Sequence, residues 1–288
     1  MRLIRAELLK IRRRQMTYVM FFVLVIMMSL IYLVTGAVYD NDFFGIIEFP
    51  GAYSLVGQFA YAFGGLFAIV FAAAFVGADW NWGVLRNVVA RGESRGTYLL
   101  AKAAAVGIVL FIALLLIFAL GIALTYLQGA IYGVPVASPL RGRGLQDLAE
   151  WIVLGFPVLL QRAALGFVVA VLMRSQLAGA VVGIVLFLGE SLITTILTLF
   201  TLGTRLSNGG IFGGLEPLPP QWFQFLPISV GGNVINQLPG GGGLASEGGI
   251  QNLLISPAPM AIALPAVLIY IAVSLGVAVL ALRRQEIA

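Results

Sequence analysis

The stretch DWNWGVLRNVVARGESRGTYLLAK, Asp79 to Lys102, is a polar interruption between two long apolar runs. It carries the cations Arg86, Arg91, Arg95 and Lys102, the acids Asp79 and Glu93, and the glycines Gly83, Gly92 and Gly96. Hydrophobic spacing of the helical kind persists inside it, with Trp82, Leu85, Val88 and Val89 on one face. The pattern predicts a short amphipathic helix held at a membrane surface, a form suited to docking on a soluble partner. A plain basic connecting loop fits the same residues.

Composition sets the class. The chain has 288 residues, of which 60% are hydrophobic and 10% charged, against a charged fraction of about 25% in soluble domains. Its apolar residues form runs too long for a soluble core, so residues 1–288 read as one all-α polytopic membrane domain. Cysteine and histidine are both absent, which removes disulfides, thiol catalysis and the usual zinc and copper sites. Nucleic acid is not an expected partner, because no basic soluble face with stacking aromatics is present. The formal net charge of +5 is a topology signal.

Outward from the central stretch, the spans are expected at about residues 17–38, 55–78, 103–127, 151–173, 177–202 and 261–282. Each is long enough to cross roughly 30 Å of hydrocarbon. Before the first span, MRLIRAELLKIRRRQM places Ile4, Leu8 and Ile11 at helical spacing among Arg2, Arg5, Lys10, Arg12, Arg13 and Arg14. This suits a helix in the headgroup layer, its cations on anionic lipid. The apolar run that follows is too long for a signal-peptide core and ends without a small-residue cleavage site, so an uncleaved anchor is expected. Within the second span Gly64, Ala68 and Ala72 recur every four residues, as do Ala73 and Gly77, a spacing that lets helices approach closely in lipid. The turn Arg174-Ser175-Gln176 is so short that the fourth and fifth spans must be antiparallel neighbours. Residues 203–260 read as a long external segment, able to dip back into the membrane where protein covers its backbone.

Charge orients the bundle. Most cations lie before the first span, in the central stretch, at Arg174, and at Arg283 and Arg284, whereas Asp40, Asp42 and Glu48 lie on the other side. The positive-inside rule therefore predicts cytoplasmic termini and a cytoplasmic central stretch.

Two charges fall inside spans. Arg162 and Glu190 lie 13 and 15 residues from Ser175, so their depths differ by roughly 3 Å. On neighbouring antiparallel helices they can meet as an intramembrane pair, with Gln161 adding a hydrogen bond. The pair lines a polar substrate path or latches one state of a moving bundle, or else it joins two helices statically. No enzyme constellation is visible: neither Lys10 nor Lys102 follows a glycine-rich phosphate loop, and GxSxG and HExxH are absent. Asp40 and Asp42 lack a metal-ligand framework and read as a solvated acidic loop.

The pattern Asp79-x-x-x-Gly83-x-Leu85-Arg86-Asn87, then Arg91-Gly92-x-x-Arg95, then Leu99-Leu100-Ala101-Lys102 resembles the first cytoplasmic loop of type-two ABC exporter permeases. Val84 departs from that pattern, where the family often has Thr. The basic N-terminal segment, residues 1–16, resembles the family's elbow helix, and the segment with Phe225-Leu226-Pro227 resembles its external re-entrant region. The resemblance implies that residues 79–102 contain a coupling helix docking on a separate ATPase, with Arg86, Asn87, Arg91 and Arg95 as polar contacts. It implies two permease copies, or two related permeases, with two ATPases, in a bacterial cell (inner) membrane. ATP and magnesium would sit on the partner ATPase, with no cofactor on this chain, and the cargo would be an amphipathic compound, peptide or ion. The competing expectation is an ion- or proton-coupled secondary transporter using Arg162 and Glu190 as its relay.

Overall fold

The computed structural model describes residues 2–38, 49, 51–81, 92, 94–133, 135–139, 142–209, 219–240 and 255–284. These form helices α1 (Arg2–Arg13), α2 (Gln15–Val38), α3 (Gly51–Asn81), α4 (Arg95–Tyr132), α5 (Gly144–Met173), α6 (Gln176–Gly209), α7 (Pro227–Asn236) and α8 (Met260–Arg284). A 3-10 turn, Trp222–Phe225, precedes α7. Among the described residues there are six helices long and apolar enough to cross a membrane: α2, α3, α4, α5, α6 and α8.

The helices outrun the apolar stretches that mark them. The third span is expected from Ala103, yet α4 starts at Arg95 because Ser94 caps it: the Ser94 side chain accepts from the Thr97 N–H at 3.1 Å. At its other end α4 stops at Gly133, which takes the left-handed conformation that glycine allows. Between α5 and α6 the chain reverses within Arg174 and Ser175, and Ser175 Oγ accepts from the Ala178 N–H. The expected close antiparallel packing of these two helices is present.

Burial ranks the helices. The most apolar window of α3 is 67% buried and that of α6 only 17%, so α3 is central and α6 peripheral. Helix α3 packs most extensively on α5, and α5 in turn on α8. Glycine makes the α3–α5 contact possible: a Cβ on Gly166 would run into the backbone carbonyl of Ile69. Of the glycines in the two sequence stripes, Gly77 leaves no room for a Cβ against the backbone of Ser175 and Gln176, whereas Gly64 has nothing near its missing Cβ. Four-residue spacing thus finds a close helix contact at Gly77 and none at Gly64.

One end of the bundle gathers α1, the end of α3, the start of α4 and the end of α8, and so carries most of the basic residues. It is called the basic end below. Residues 82–91 and 93, with the expected amphipathic helix and its Arg86, Asn87 and Arg91, lie outside the described residues.

Candidate functional site

At the basic end, the sequence places an apolar stripe on α1 and cations around it. In the structure Ile11 is buried, and Ile4 and Leu8 pack beside it in a cluster with Tyr98, Leu99, Val106 and Leu282. The stripe therefore packs on α4. Glu7 follows the stripe inside, and its side chain is only 2% exposed.

That burial demands counter-charge, because a lone carboxylate away from water is costly. Lys102 supplies it from α4. Its side chain is 1% exposed, and Nζ lies 3.7 Å from Glu7 Oε2. Lys102 also forms a short ion pair with Asp79 near the end of α3. Tyr98, one turn before Lys102, donates its hydroxyl to the same Asp79 oxygen at 3.0 Å. Lys10 pairs with Glu7 from the outer side, and Lys102 sits over the Phe75 ring at 4.3 Å. Two carboxylates and the Lys102 ammonium thus share one enclosure made by α1, α3 and α4, with the half-exposed Lys10 at its outer edge.

The sequence reading counted Lys102 among the surface cations and missed Glu7 altogether. The reason is local. Once Ser94 starts α4, Lys102 lies about 10 Å up the helix, on the face turned toward α3 and α1. A signal was available: Tyr98 and Lys102 are four residues apart, and so is Glu7 from Ile11, which puts each pair on one helical face. Arg95, the last of the four expected docking contacts, is half-buried and donates to the Leu282 carbonyl of α8 at 3.3 Å. That carbonyl belongs to the last turn of a helix, where a cation is favoured.

A second polar centre lies midway along the bundle. Arg162 on α5 is fully buried. Its Nη1 donates to the Tyr61 carbonyl of α3, and its guanidinium lies 5.2 Å from the Phe187 ring of α6. Gly65 leaves the room it occupies, since a Cβ there would strike the guanidinium. Glu190 lies on α6, the helix that carries Phe187. The hydrogen bonds of Glu190 go to α7: Oε1 accepts from the N–H groups of Ile228 and Ser229 at 2.6 and 2.8 Å, and from Ser229 Oγ at 3.1 Å.

This arrangement follows from helix chemistry. The first turn of a helix has N–H groups without internal partners and a partial positive charge, so a carboxylate suits it. Pro227 opens α7, where its missing N–H costs nothing. The non-helical backbone around α7 is satisfied by side chains from the main helices. Gln161 donates to the Pro227 carbonyl, Tyr270 to that of Phe225 at 2.8 Å, and Trp151 to that of Pro239 at 3.1 Å. Irregular backbone is tolerated at membrane depth only under such cover. The segment read as external thus contributes a helix whose start meets the middle of α6.

The family described as ABC-2 family transporter protein matches residues 3–202, more than half of the chain. No curated protein matches it.

Proposed function

The chain belongs to the ABC-2 transporter family, and from its place as the membrane-spanning permease of an ABC transporter we propose that a separate ATPase drives it from the basic end. Neither lysine follows a phosphate-binding loop, so nucleotide chemistry falls to the partner, which would hold ATP and magnesium. The basic end faces the cytoplasm of a bacterial cell by the positive-inside rule. Two permeases, alike or related, work with two ATPases.

One observation carries this reading: Lys102 joins Asp79 and Glu7. Asp79 and Lys102 stand at either end of the stretch that would dock, and Glu7 belongs to α1. A push delivered to residues 82–93 therefore reaches α1, α3 and α4 together. Domain closure of the ATPase pair would shift the bundle between two packed states in this way. An apolar hollow of about 410 Å³ among α1, α2, α3 and α4, bordered by Phe21, Gly64 and Phe71, suits an amphipathic cargo, and export is the direction the resemblance implies.

The test is charge reversal at the docking stretch. Arg86→Glu combined with Arg91→Glu leaves the bundle inserted, because neither residue belongs to a span. The partner ATPase should no longer co-purify, and nucleotide-dependent transport should be lost. Undiminished transport by the double variant overturns the proposal, as does recovery of the wild-type chain alone under gentle detergent.

A further inference from the structure

The apolar hollow among α1, α2, α3 and α4 has its origin in the sequence of α3. Ala60, Gly64 and Ala68 recur every four residues there, and all three border the hollow. Gly64 is buried, yet a Cβ on it would meet open space. Helix α2 does not close the gap, since only 17% of its most apolar window is buried. From Phe71 back to Ala60 the hollow follows about three turns of α3, roughly 16 Å. It starts beside α1 at the basic end, and its length matches half of the roughly 30 Å of hydrocarbon in a bilayer.

Two features of its border select an occupant. Tyr18 of α2 and Ile112 and Leu116 of α4 stand on that border and are exposed, so the hollow opens sideways toward lipid. The end beside α1 carries charge. Arg12 borders it, is exposed, and takes part in no ion pair among the described residues. Thr17 also borders the hollow, but its hydroxyl donates to the Ile11 carbonyl at 3.1 Å. A guanidinium binds phosphate through paired N–H groups, and its charge favours a head group that is negative overall.

We infer that this hollow holds one acyl chain of an anionic phospholipid, drawn from the leaflet on the basic side, with its head group on Arg12. A single chain enters through the lateral opening and lies along α3, while the phosphate stays at the level of α1. A zwitterionic head carries its own cation beside the phosphate, so Arg12 gains less from it. The inference deepens the reading of this hollow as the place where an amphiphile is held, and it rests on that reading. Its test needs no ATPase, so lipid binding and the drive from the basic end can fail separately.

The full chain, purified in detergent, tests this by native mass spectrometry with added lipid. Dioleoylphosphatidylglycerol should bind saturably, about fivefold more tightly than dioleoylphosphatidylcholine, the effect of a single basic residue on an anionic lipid. Arg12→Gln should remove that preference. Arg13→Gln, exposed on the same helix but off the hollow, should keep it. Gly64→Leu and Ala113→Leu fill the hollow from α3 and from α4, and each should weaken both lipids about tenfold; the Tm of each lipid-free variant checks that it is folded. Glycerol phosphate, a head group without chains, should not compete. Equal affinity for the two lipids overturns the proposal, as does competition by glycerol phosphate, which would mark a site for free anions. So does wild-type affinity in both filling variants. An equal loss of preference in Arg13→Gln also overturns it, because it would mark unspecific attraction to α1.

Discussion

Lys102 on α4 and Asp79 near the end of α3 are 23 residues apart and form an ion pair inside the bundle. The stretch proposed to dock lies between them, and this pair ties its two flanking helices together away from water. Glu7 brings α1 into the same clamp. Burial makes the pair sensitive: removing one partner of a buried pair costs about 3–5 kcal/mol, whereas replacing the set with neutral groups is often tolerated.

Lys102→Met should therefore lower the thermal stability of the purified protein sharply, because it leaves buried Asp79 without this counter-charge and Glu7 with Lys10 alone. Combining it with Asp79→Asn and Glu7→Gln should recover most of the loss. The check is a mutant cycle on Tm, and additive losses would show that the charges do not act as a unit.

Glu190→Gln keeps the side chain's size but removes the charge that α7's first turn binds. Hydrogen bonds to a charged group contribute about 1.5–3 kcal/mol. The amides of Ile228 and Ser229 should then exchange with deuterium roughly ten- to hundredfold faster, while amides in the centre of α3 keep their protection. Unchanged exchange at both amides would remove Glu190 from its role in holding α7.

Gly166→Ala and Gly64→Ala separate real helix contacts from mere spacing. The first forces a methyl group against the Ile69 carbonyl, and the second meets nothing. Overpacking of this kind costs about 1–3 kcal/mol. Detergent unfolding should show a loss for Gly166→Ala and none for Gly64→Ala.

Sidedness can be read directly, since the chain has no cysteine. Cysteine placed at Arg13 or Arg284 should react with a membrane-impermeant maleimide only in inverted vesicles. Cysteine at Ala149, exposed near the start of α5, should react only in intact cells. The opposite pattern would invert the proposed topology.

Much of the fold was legible beforehand because the membrane simplifies the code. The run from Ala103 to Leu127 had to be helical and roughly 20 residues or more to hide its backbone polar groups in hydrocarbon. The turn at Arg174 and Ser175 had to bring α5 against α6, as it does. Glu7 and Lys102 were harder to read. Each sits among surface cations in the sequence, and only the rotation of its helix about its own axis turns it inward.

The sequence by itself determined the class, the six apolar crossings and the gathering of basic residues at one end, because hydrophobicity and charge act residue by residue against a layered solvent. Tertiary structure alone decided which polar groups meet. Glu190 was expected to pair with Arg162, and the hydrogen bonds it accepts come from the first turn of α7, 38 and 39 residues further along. Where each buried proton and lone pair finds its partner depends on how long helices rotate and cross. That choice is made by packing among distant segments, and no local pattern records it.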